Sequence, residues 1–301
     1  MKIRFLIAIT LAALLCLYGC GSSSRDENGP VSVSISDLLS QVTESKIYAT
    51  ASDLQNFVTR VVGTQGNYDA ATYLHDKFAA ISGLTVVYQG GNERNVVATL
   101  PGTDASSDKV YIVGAHYDSA SDTPDIAPGA TDNACGVGIV LELARIMSKY
   151  RFKDTLKFAA WNSEEKGLAG SSTYASEAEL AHEDIGLYFN YDSAGYDPEG
   201  RLILDIMYND TSSWVAERMN LRNTSYGLGF TITYNVHTCY SDHRPFWEHG
   251  FTAVMTHAEQ HAPEAHTAYD TVDKISTLYA KKNGQLGMAI LAELAGLSAA
   301  R

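Results

Sequence analysis

Two glutamates stand side by side in the stretch Trp161-Asn162-Ser163-Glu164-Glu165-Lys166, directly after an apolar run from Thr155 to Trp161. Adjacent carboxylates repel, and burying both is costly unless a cation or a proton compensates. Other acids and histidines recur in similar settings: His116-Tyr117-Asp118-Ser119, Asp132-Asn133, Asp192-Ser193, and His266 through Asp270. These residue types suit zinc, which takes imidazole nitrogen and carboxylate oxygen and, in catalytic sites, keeps a position open for water. Two ions about 3.5–4 Å apart need a carboxylate that bridges them. One histidine and one acid per ion, with one acid shared, uses five ligands, and a sixth carboxylate can then act as a base. In that scheme Glu165 is neutralised on an ion, while Glu164 stays free to take a proton from an attacking water.

Such groups matter only if the chain gathers them. Short apolar runs predict strands at 85–88, 95–100, 110–115, 156–161, 185–191, 202–208, 231–236 and 252–256. Apolar residues at helical spacing predict helices within 36–62 and 68–81, then at 134–150, 168–179, 212–222 and 242–249. A long closing helix is expected near 271–299, with Asn283-Gly284 a possible break inside it. Alternating strands and helices predict one α/β domain, with a mixed, mostly parallel central sheet flanked by helices. Ligands of such sheets sit beyond the carboxyl ends of the strands. His116 and Asp192 directly follow predicted strands, the Glu164–Glu165 pair follows one after two intervening residues, Asp132 precedes the helix at 134, and His266 lies past the strand at 252–256.

The motifs "GATDNACGVG", "WNSEEKGLAGS", "NYDSAGY" and "HTAYDT", in this order, resemble those of the M28 family of zinc aminopeptidases, over roughly residues 50 to 275. The resemblance implies a zinc-exopeptidase-like domain over 36–301 that holds two zinc ions per chain. His116 and Asp192 would ligate the first ion, Glu165 and His266 the second, and Asp132 would bridge both. Glu164 would be the general base, Asp118 would orient the His116 ring, and the Asp132–Asn133 peptide would be cis. An oxyanion-stabilising tyrosine is expected nearby, with Tyr240 the nearest candidate. Two positions depart from the family pattern. Cys135 stands where serine is frequent, and reads as a passive core residue. Cys239 has no close partner for the disulfide that some members carry. The implied activity is removal of N-terminal residues from peptides with a free amine. The alternatives are a one-zinc glutaminyl-peptide cyclotransferase, a carboxypeptidase-type relative using one of Arg60, Arg94, Arg201 or Arg244, and a non-catalytic binding ectodomain.

Other features bound the function. The net charge of −13 argues against unaided binding to nucleic acid or to an anionic membrane. No G-x-S-x-G or P-loop signature occurs, which removes support for a serine hydrolase or a nucleotide-driven enzyme. Lys2 and Arg4 precede an apolar run from Phe5 to Leu17, the length of a signal-peptide core. Leu17-Tyr18-Gly19-Cys20 resembles a bacterial lipobox. Residues 1–19 are therefore expected to be a signal peptide, and 20–35 a lipidated cysteine and tether. That places the protein in the bacterial cell envelope, attached to a membrane through Cys20 or exported. No feature of the sequence specifies an oligomeric state. Among the remaining histidines, His257 reads as a strand-end residue with a satisfied hydrogen bond. His261 is set aside as a ligand because Pro263 argues against a helical metal motif, and His243 is expected on the short helix near 242–249.

Overall fold

A computed structural model describes residues 33–238 and 240–301. The expected leader, Cys20, nearly all of the tether, and Cys239 lie outside them. Ten strands are present among the described residues: β1 Thr85–Gln89, β2 Asn95–Leu100, β3 Lys109–His116, β4 Tyr150–Phe152, β5 Thr155–Trp161, β6 Asp184–Tyr191, β7 Ile203–Tyr208, β8 Thr231–Val236, β9 Ala253–Ala258 and β10 Leu297–Ala300. The α-helices are α1 Ile35–Leu39, α2 Glu44–Gln55, α3 Gln65–Ala79, α4 Cys135–Met147, α5 Ala169–Leu180, α6 Ser213–Ser225, α7 His243–Glu248 and α8 Thr277–Leu294.

Eight strands form one mixed sheet in the order β1-β2-β5-β3-β6-β9-β7-β8. Its centre, β5-β3-β6-β9, is parallel throughout. These strands are apolar on both sides, because helices cover both faces. Tyr111, Val113 and Ala115 of β3 pack with α2, α3, α4 and α8 in the main core, whereas Val110 and Ile112 point to the opposite face. There Trp161, Tyr174 of α5, Tyr188 and Phe246 of α7 form an aromatic cluster, with Tyr188 and Phe246 stacked at 4.1 Å.

The first helix begins at Ile35, one residue inside the expected tether, through a capping box between Ser34 and Asp37. The helical spacing over 36–62 resolves into α1 and α2, with a break between them. The closing segment also differs from expectation. Helix α8 runs unbroken through Asn283-Gly284, and both residues are buried. A Cβ at Gly284 would fall 3.1 Å from Ile139 Cγ2 of α4, so this glycine marks a close helix–helix approach instead of a break. The helix then stops early, because Gly296 adopts φ +71 just past its end. Residues 297–300 turn back as β10 and pair antiparallel with β4 in a separate two-stranded sheet.

Candidate metal centre

The register of the sheet sets the site. His116, the last residue of β3, pairs with Trp161, the last residue of β5, and Tyr191 of β6 pairs with Thr256 of β9. The turns after β3, β5 and β6 therefore emerge at one edge. Two of the site residues need a left-handed backbone beside them: Ser163 has φ 62 and Ser193 has φ 46. His266 itself has φ 59. Such conformations cost roughly 1–2 kcal/mol for non-glycine residues, and here they aim side chains inward.

The five residues expected as ligands come together. His116 Nε2 lies 3.1 Å from Asp132 Oδ1 and 3.5 Å from Asp192 Oδ1. His266 Nε2 lies 3.1 Å from Asp132 Oδ2 and 3.1 Å from Glu165 Oε2. The two oxygens of Asp132 thus face two different imidazoles. Glu164 Oε2 stands 4.0 Å from His116 Nε2. Tyr240 lines the cavity over the site and is 82% exposed.

Supporting groups hold these side chains. Asp270 accepts hydrogen bonds from the Thr131 amide (2.9 Å), the Thr131 hydroxyl (2.7 Å) and the Asp132 amide (3.1 Å). Asn133 donates to the Tyr191 carbonyl at 2.8 Å, and the Asp132–Asn133 peptide is cis. Asp118 differs in detail from expectation. The His116 ring places Nδ1 3.2 Å from the Asp118 backbone carbonyl and 3.6 Å from its Oδ1. The Asp118 carboxylate instead accepts from the Glu164 and Glu165 amides, each at 3.1 Å. It sits beneath the turn that carries both glutamates and fixes that turn to the end of β3.

Electrostatics are severe. Burial, followed by the Asp192, Asp242 and Glu165 carboxylates, pushes Glu164 up to about 10 against the pull of His116. Burial also raises Glu165 and Asp270, and lifts Asp242 to about 7. Burial alone would lower His116, yet Glu164, Asp192, Asp118 and Asp132 together hold it well above its ordinary value. Hydrogen bonds to Asp132 and Glu165 raise His266 to about 11. Arg60 is fully buried beside this cluster but makes its hydrogen bonds to backbone carbonyls: Tyr117 (2.7 Å), Leu54 (3.2 Å), Pro128 (2.6 Å) and Gly129 (2.9 Å).

The donor set fits divalent cations. His116 Nε2, Glu165 Oε1 and Asp192 Oδ1 are buried and make no hydrogen bond, although His116 Nε2 has carboxylate oxygens close by. Lone pairs that converge without hydrogen-bond geometry are what a shared cation would satisfy, and the excess of buried carboxylates calls for positive charge. Two clusters of potential ligands meet these terms, His116–Asp132–Asp192 and Asp132–Glu165–His266.

A cavity of about 440 Å³ opens over the cluster, lined in addition by Leu168, Met207, Tyr240, Arg244, Met255, His257 and His261. The sequence alone assigns no place at the site to His257 or His261. Of the arginines weighed for a carboxylate pocket, only Arg244 lines this cavity, and it pairs with Glu248 at 2.7 Å. Arg94 lies over Tyr68 and Tyr88, and Arg201 pairs with Glu199 and Glu259. His243 is buried with Nε2 2.8 Å from the Thr238 carbonyl, and burial lowers it to about 4. Cys135 is a free, buried thiol pushed up to about 12 by burial.

Fold and site together give an α/β layout with a candidate divalent-cation centre at the carboxyl ends of its parallel strands. The chain belongs to peptidase family M28, whose model matches residues 95–291. A probable zinc metalloprotease of Pyrenophora tritici-repentis is 34% identical over 190 residues, which cover 54% of this chain and 44% of that protein. The chain thus spans less than half the length of this relative. A probable leucine aminopeptidase of Trichophyton verrucosum is 25% identical over 281 residues, covering 86% of this chain and 75% of that protein. Among solved structures, the LapA aminopeptidase of Legionella pneumophila shares the fold at a TM-score of 0.78 and 21% identity, over 87% of this chain and 74% of that one. A glutaminyl cyclase of Bacteroides thetaiotaomicron shares it at 0.67 and 19%, over 83% and 97%.

Proposed function

We propose that this chain is a two-zinc aminopeptidase that removes N-terminal residues from peptides. The observation that carries the reading is Asp132, whose two oxygens each lie 3.1 Å from a different imidazole. In this reading His116, Asp132 and Asp192 hold one ion, and His266, Asp132 and Glu165 the other. Bound zinc would supply Lewis acidity at the scissile carbonyl and an anchor for the free amine of the substrate.

Glu164 does the proton work. It sits on the cavity wall, and the Asp118 carboxylate fixes its backbone amide. It takes a proton from the attacking water and hands it to the leaving amine. Asp118 positions the glutamate turn, and Asp270 positions the Asp132 turn. The acidic wall draws in the substrate's protonated amine, which would give up its proton to solvent to take its place on an ion. Leu168, Met207 and Met255 offer apolar surface for a substrate side chain.

The test is product analysis by mass on a Leu-initiated peptide, its N-acetyl form and a Gln-initiated peptide. Release of leucine from the first alone among the two Leu peptides is expected. Loss of ammonia from the Gln peptide, with the Leu peptide left intact, would replace this reading with that of a cyclase.

Export and anchoring are part of the same proposal. The segment ending in Cys20 would carry the lipid and hold the enzyme in a bacterial cell envelope. The full-length protein is expected in the detergent phase on partitioning, and Cys20→Ala in the aqueous phase. A wild-type chain that partitions like the variant would remove the anchor.

A further inference from the structure

Two more imidazoles share the cavity. His257 lies within β9, and His261 follows in the loop beyond it. Their Nε2 atoms are 3.1 Å apart, while their ring centroids are only 4.3 Å apart and the planes meet at 71°. A straight N–H···N hydrogen bond of that length would hold the centroids roughly 5.4 Å apart. At the shorter spacing the two nitrogen axes are inclined to one another, so the contact departs from a straight hydrogen bond.

The outer nitrogens agree with this. His257 Nδ1 faces the Ala258 carbonyl, which can only accept, so Nδ1 carries the proton and Nε2 is left with a bare lone pair. His261 Nδ1 lies 3.0 Å from the Ser193 hydroxyl, which can accept from it or donate to it. Histidines that bind metals are held like this, with the far nitrogen donating to a backbone carbonyl or similar group.

We propose that His257 and His261 form a further metal site, taking a borderline divalent cation such as zinc or nickel on two neutral imidazoles and water. Imidazole nitrogen favours these ions over magnesium or calcium, which want oxygen. With no carboxylate among its ligands, the site binds more weakly than the carboxylate-rich cluster below it. An ion here stands in the cavity that a peptide must enter, so it blocks substrate access when zinc is in excess. The metal site itself does not require the aminopeptidase reading, whereas the block on substrate access rests on it.

The experiment is a metal titration of the full chain, brought first to constant metal content at low zinc, then equilibrated against a rising zinc series. Bound zinc is counted by elemental analysis, and peptide cleavage is followed in parallel. Wild type is expected to take up one equivalent more at high zinc than His261→Ala or His257→Gln, and to lose activity severalfold as it does so. His261 is exposed, so its alanine variant should keep the wild-type melting temperature, which is checked directly. Equal zinc uptake by wild type and His261→Ala overturns the proposal, as does high-zinc inhibition that persists undiminished in that variant. The low-zinc count reads the carboxylate-rich cluster separately, so failure of one reading is distinguishable from failure of the other.

Discussion

The two halves of the candidate metal centre share Asp132 but are built differently. The His116 half grows from the end of a strand with neighbours on both sides, and the His116 side chain is 1% exposed. The His266 half hangs on a loop, fixed by the bond from the Asp122 amide to the His266 carbonyl (3.0 Å), and its side chain is 57% exposed. One imidazole is enclosed by the sheet edge, and the other can be reached from solvent. An ion held by the open half would be reached from solvent past His266, whereas one held by the enclosed half would be reached only through the cavity that Asp192 lines.

The largest effect expected from breaking this arrangement is on the base. Glu164→Gln should lower kcat by about 10²–10⁴-fold, the usual worth of a general base, with zinc content unchanged. Glu165→Gln should instead deplete the open side. Zinc loss in the first and retention in the second would reverse the roles. Next is metal removal. Under a chelator the first equivalent should leave faster than the second, and His266→Ala should retain one zinc on elemental analysis. Simultaneous loss of both ions at one rate would erase the distinction between the halves. Supporting carboxylates come third. Asp270→Asn should weaken zinc binding by about 10–100-fold, and on both sides, because Asp270 holds the shared Asp132. Competition with a chromogenic chelator reads this directly. The smallest effect is expected at Cys135, whose thiol takes no part in either half. Cys135→Ser should cost about 1–3 kcal/mol for burying a hydroxyl, seen as a lower melting temperature, with zinc content and kcat essentially kept.

Much of this molecule is legible in its sequence where physical signals are local. The central strands are two-sided apolar runs bounded by polar turns, and β2 and β8 have the expected limits. The acids and histidines can be placed because parallel strands deliver the turns at their carboxyl ends to one edge. The misses share a cause, which is that they depend on contacts far apart in sequence. Strand β10 has the small, apolar residues of a helix end, and only the pairing with β4 makes it a strand. Asn283-Gly284 carries a helix-breaking composition, but burial against α4 overrides it. At the site, Asp270 belongs to a recognisable motif, yet its role is hidden locally, since its three bonds go to residues some 138 positions away. His257 and His261 look ordinary in the sequence because the shared cavity becomes visible only when the loop after β9 folds back on the Asp192 turn.

Arg60 has a consequence for how the centre is filled. Its guanidinium ties the end of α2 to the turn after β3 and to the residues that lead into Asp132, through carbonyls at positions 54, 117, 128 and 129. It does this with backbone bonds alone, so none of its donors is taken from a carboxylate of the cluster. The scaffold therefore carries a resident positive charge that softens repulsion among those acids before any ion arrives. An incoming cation would meet a cradle that is already shaped, in which the surrounding carboxylates hold both imidazoles protonated. Its capture would then release protons from those rings as well as water from the ion, so filling of the centre should weaken as pH falls.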